Sequence, residues 1–107
     1  MIQKTIVLLF ILLANFSYSQ ETNKTPEKLA QQQLEAYNAR DIEAFLIPYA
    51  EDVEAYNFPD KLLFKGKEAM RKGYAQIFNE VTNLHCEVKS RMIQGNIVID
   101  KEYVQFG

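Results

Sequence analysis

The chain has 107 residues, with 12 basic and 14 acidic side chains and a single cysteine, for a formal charge of −2. Charge this close to balance, with no basic cluster anywhere, argues against nucleic acid or an anionic membrane surface as the partner. One thiol cannot form an internal disulfide, so stability has to come from packing.

Residues 1–19 read as a secretory signal peptide. Lys4 gives a short positive start, and Ile6 to Ala14 form an unbroken apolar run. Asn15 to Ser19 follow, with Ser17 and Ser19 as small residues at −3 and −1 of a cleavage site. The run is far shorter than the ~20 residues that cross a bilayer as a helix, and no cysteine follows it to carry a lipid. Cleavage before Gln20 is expected to release a secreted or periplasmic domain, residues 20–107, with no membrane anchor. The competing reading is an uncleaved anchor or a buried helix. Removing Lys4 with the leader takes the formal charge from −2 to −3.

Three amphipathic helices come next. Thr25 as N-cap, Pro26 at the first helical position and Glu27 in the first turn start the first. Its inner stripe is Ala30, Gln33, Leu34 and Tyr37, at i, i+3, i+4 and i+7. Asp41 caps a short second helix that turns Ile42, Phe45, Leu46 and Tyr49 to one side, with Pro48 distorting its end. Val53 to Phe58 forms a strand stopped by Pro59-Asp60, and Leu62 to Phe64 reads as another. The third helix is expected from Lys67 to Asn79, with Met70, Gly73, Tyr74, Ile77, Phe78 and Val81 inside and a Glu68–Lys72 pair outside.

A hairpin closes the chain, Leu84–Ile93 and Ile97–Phe106, turning at Gly95-Asn96. A two-residue loop puts Arg91 opposite Asp100 and Lys89 opposite Glu102, so unlike charges meet. This register assigns Leu84, Cys86, Val88, Met92, Ile97, Ile99 and Tyr103 to the core face. His85, Glu87, Lys89, Arg91, Asp100 and Glu102 fall on the outer face, as a solvated or dimer-facing charge ladder rather than a metal site.

Helices followed by a long hairpin are an α+β order. The segments Ala36-Tyr37-Asn38-Ala39-Arg40-Asp41, Tyr49-Ala50-Glu51-Asp52-Val53 and Phe64-Lys65-Gly66-Lys67-Glu68-Ala69-Met70-Arg71, in this order and spacing, resemble SnoaL-like proteins of the nuclear transport factor 2-like superfamily. The resemblance spans about residues 27 to 106. It implies a cone-shaped α+β barrel, a curved antiparallel sheet around N-terminal helices with a pocket between them, and a homodimer formed through the outer sheet surface. Family members continue with two more long strands, so the chain is expected to be C-terminally incomplete, with a minimal variant as the alternative.

Among such proteins the ketosteroid isomerases use an Asp base and a Tyr with a protonated Asp. A gap-free register puts Asn57 at the base position and Gln33 at the oxyanion Tyr position. Neither amide can abstract a carbon-bound proton near neutral pH, so that mechanism is not expected. The residues expected to line one interior are Gln33, Tyr49, Asn57, Tyr74 and Tyr103, suited to a small apolar or weakly polar ligand. The other reading makes the tyrosines core residues with satisfied hydroxyls and the amides backbone caps. No phosphate loop, nucleophile elbow or zinc spacing is present, and no cofactor is expected. Two functions stay open: a small-molecule binder whose reaction is unassigned, and an interaction module with a vestigial pocket.

Overall fold

The computed structural model describes residues 24–107, so the leader lies outside the described residues. The elements are α1 (Pro26–Ala39), α2 (Ile42–Leu46), β1 (Glu54–Asn57), β2 (Lys61–Lys65), α3 (Lys67–Glu80), β3 (His85–Gln94) and β4 (Ile97–Gln105). The fold is α+β. Among the described residues the strands form two antiparallel pairs, β1–β2 and β3–β4, with the helices packed against them and no closed barrel. None of the described helices is long and apolar enough to cross a membrane.

Local chemistry sets the helix ends. The Thr25 hydroxyl accepts from the Lys28 amide at 3.2 Å, and the Asp41 carboxylate accepts from the Ala44 amide at 3.1 Å; each satisfies a first-turn donor that has no partner within its helix. Arg40 closes α1 in the left-handed region, at φ 58°, where glycine is the usual residue. Its guanidinium donates to the carbonyls of Phe78 and Val81, at 2.9 and 2.7 Å. These lie at the end of α3, where free carbonyls and the helix dipole both favour a cation. One residue thus ends α1 and ties it to α3.

The core gathers Ala36, Phe45, Leu46, Met70, Phe78 and Leu84. Phe45 sits at its centre, 1% exposed. The rings of Tyr37, Tyr49, Tyr74 and Phe78 surround it with centroids 4.7–6.1 Å away, tilted or edge-on, the arrangements aromatic quadrupoles favour. Gly73 belongs to the inner stripe because α3 meets β2 there: a Cβ at this position would lie 2.5 Å from the Phe64 ring. On the outside, Glu68 pairs with Arg71 rather than with Lys72, and Arg71 also pairs with Glu43 of α2.

Asn38 joins α1 to the hairpin. Its amide donates to the Cys86 carbonyl at 2.9 Å and accepts from the Cys86 N–H at 2.8 Å. The side chain so occupies both backbone groups that β3 turns away from β4, as a neighbouring strand would.

The hairpin departs from expectation in one respect with large consequences. Arg91 does oppose Asp100 and Met92 does oppose Ile99, as a two-residue turn requires. An irregularity between Val88 and Ser90 then leaves Lys89 unpaired, and Glu102 opposes Val88 instead. A bulge residue switches the strand's alternation. On β3, Cys86 and Val88 face the helices before the bulge and Arg91 faces them after it, where its Nη1 donates to Gln31 of α1. On β4 the even-numbered residues face inward throughout. The expected assignment of faces is therefore reversed for β4. Asp100 and Arg91 have side chains only 12% and 13% exposed, while Met92, Ile97, Ile99 and Tyr103 are 55–64% exposed on the outer surface.

Candidate functional site

Two adjoining open lobes lie along the inner face of β4, the first under α1 and α3 and the second between α1 and the Pro48-Tyr49 turn. The first lobe, about 260 Å³, is walled by Leu34, Tyr37, Phe45, Tyr74, Ile77 and Val104, with Phe106 at its rim. The second, about 410 Å³ and broader, runs along Leu29, Ala30, Pro48, Tyr49, Val98 and Asp100. Gln33 and Glu102 line both lobes.

Each polar group there is placed by its element. Gln33 interrupts the apolar stripe of α1. Its Nε2 donates to the Ala30 carbonyl at 3.2 Å, which leaves Oε1 to accept from the Tyr49 hydroxyl at 3.1 Å. Burial pushes the titration of that hydroxyl well above the ordinary tyrosine range. Tyr74 packs between Phe45 and Phe64, with centroids 4.7 and 5.6 Å away. Burial, and then the Glu102 charge, raise its pKa too. Cys86 is buried under α1. Desolvation, reinforced by the Glu102 carboxylate, pushes its thiol up to about 11, so near neutral pH it is a protonated and poor nucleophile.

Of the five residues expected to line one interior, three come together: Gln33, Tyr49 and Tyr74. Asn57 does not join them. It pairs with Lys61 at the end of β1, next to the turn, where it is exposed and lines neither lobe. Gln33 and Asn57 thus do not line the same lobe. Tyr103 is 60% exposed and opposes Glu87 on the outer face; the bulge at Lys89 puts its neighbours Glu102 and Val104 inside instead. Sequence reasoning missed Glu102, Tyr37 and Cys86 as lining groups. The available signal for Glu102 was the second apolar alternation on β4, Val98 and Val104, continued by Phe106 just past its end.

The family model of the SnoaL-like domain matches residues 30–106. The chain belongs to the SnoaL-like domain family. A solved structure, an uncharacterized cystatin-fold protein from Novosphingobium aromaticivorans, is similar to this SnoaL-like domain at 27% identity and a TM-score of 0.75, over 79% of this chain and 73% of that one. A Thiobacillus denitrificans protein, named as a calcium/calmodulin-dependent protein kinase type II association domain, shares the fold at 22% identity and a TM-score of 0.59, over 78% of this chain and 70% of that one. No curated protein matches the SnoaL-like domain significantly. The family and fold are those of a small-molecule-binding domain.

Proposed function

We propose that the domain binds a small, mostly apolar molecule in the two-lobed cavity. The observation that carries this reading is the meeting of both lobes at Gln33 and Glu102, beside an aromatic wall of Tyr37, Phe45 and Tyr74. Apolar concavity with a few convergent polar groups is what small-ligand sites require. Tyr49 holds Gln33 in place, and Tyr74 and Glu102 offer hydrogen bonds to an entering molecule. Titration with 1-naphthalenemethanol tests it: saturable binding is expected in the millimolar range or tighter, from roughly 0.3 kcal/mol per heavy atom. Ile77→Trp, which fills the first lobe, should abolish the binding while the fold persists. Binding that survives this variant would place the ligand elsewhere.

A second reading adds to the first. The outer face of β3–β4 exposes Met92, Ile97, Ile99 and Tyr103 together, and we propose that a second copy of the chain covers it, as the family resemblance implies. We also propose that the domain acts outside the cytoplasm. Lys4, the apolar run and Ser17/Ser19 support this. Exported protein should begin at Gln20 by mass analysis, and an intact Met1 on stably membrane-bound protein would contradict it.

A further inference from the structure

The groups facing the cavity are unbalanced in charge. The Tyr49 hydroxyl commits its only proton to Gln33 Oε1, since Gln33 Nε2 is already turned to the Ala30 carbonyl. Tyr49 therefore offers lone pairs to an incoming ligand. The hydroxyls of Tyr37 and Tyr74 can give or accept a hydrogen bond and do not discriminate. Charge does. Arg91 holds Asp100 through two hydrogen bonds, at 2.6 and 2.9 Å, and turns its remaining nitrogen to Gln31. Asp100 is neutralised by this fork-to-carboxylate pairing. Glu102 lies within the field of Arg91, but no ion pair among the described residues includes it. The bulge has carried Lys89 away from it, to Glu87 at 3.2 Å. No Lys or Arg lines either lobe. With Arg91 committed to Asp100, one negative charge in excess, that of Glu102 beside the Cys86 thiol, is left where the lobes meet, next to the rings of Tyr37, Phe45 and Tyr74.

From this arrangement we infer that the cavity takes a ligand carrying one positive charge on an apolar frame: an ammonium group seated between Glu102 and the aromatic rings, with the frame in the first lobe. The inference rests on the small-molecule reading above and names its ligand class. A carboxylate and ring faces attract the same ammonium, the first by its charge and the second by its quadrupole. An anionic ligand of equal size would meet an unpaired carboxylate with no cation to answer it. Because Glu102 is open to solvent, the preference is modest rather than absolute.

Three probes of one frame separate the possibilities: 1-naphthylmethylamine (cationic near neutral pH), 1-naphthalenemethanol (neutral) and 1-naphthoate (anionic). The intact chain should bind the amine about three- to tenfold more tightly than the alcohol, and the naphthoate most weakly. Glu102→Gln should bring the ratio of amine to alcohol affinity down to about one, and a circular dichroism spectrum like that of the unaltered chain shows that the variant is folded. If the alcohol binds but the amine binds no better, the inference is overturned while the cavity reading stands. A preference that survives Glu102→Gln overturns it in the same way. If none of the three binds, the cavity reading fails and the inference falls with it.

Discussion

Asn38 shows how much one side chain can decide. The sequence places it in an Asn-Ala-x-Asp run at the end of the first helix, just before the Asp41 cap of the second. Its role, pairing with both backbone groups of Cys86 some 48 positions away, depends on a fold that local pattern does not contain. Asn38→Ala should leave a donor and an acceptor on β3 unpartnered, at a cost of about 2–3 kcal/mol, measured as a shift in denaturant midpoint. A change under about 0.5 kcal/mol, the range of an ordinary surface substitution, would mean that water replaces the amide without loss. Glu102 and Tyr49 belong to the same scale. Gln33 and Tyr49 were legible because a polar residue on an apolar helical stripe has few reasons to be there. Glu102 was not, because its orientation depends on which neighbour on β3 is skipped.

The elements themselves were largely legible. Helix caps, Pro48, the Gly95-Asn96 turn and the Arg91–Asp100 pairing all follow from local chemistry, and all three helices and four strands lie near their expected bounds. The face of the hairpin was not legible. β4 carries two apolar alternations, Ile97, Ile99 and Tyr103 against Val98 and Val104, and periodicity cannot choose between them. The bulge at Lys89 chooses. It also reverses an energetic ordering that the simpler register would give. Met92 is 64% exposed, so Met92→Ala should change stability by no more than about 0.5 kcal/mol. Asp100→Asn leaves a largely buried guanidinium without its counter-charge and should cost about 2–3 kcal/mol. Denaturant melts of the two variants compare them directly; a larger loss for Met92→Ala would put the sheet the other way round.

At the scale of the whole molecule, the reversal gives each face of the hairpin a distinct use. The inner face supplies Glu102 and Val104 to the cavity, and the outer face exposes Met92, Ile97, Ile99 and Tyr103, the surface we propose a second copy covers. Sedimentation at tens of micromolar should find a dimer, and Ile99→Lys should return it to a monomer without lowering the intrinsic stability of the fold. A monomer in the unaltered chain would remove the dimer proposal and leave the cavity untouched. The central claim concerns the cavity, and amide chemical-shift mapping during the 1-naphthalenemethanol titration tests it most directly. The predicted result is a set of perturbations confined to Gln33, Tyr37, Tyr74, Cys86 and Glu102, with Ile97, Ile99 and Asn57 unmoved. Perturbations centred on the outer face of β3–β4 or on the β1–β2 hairpin would contradict it.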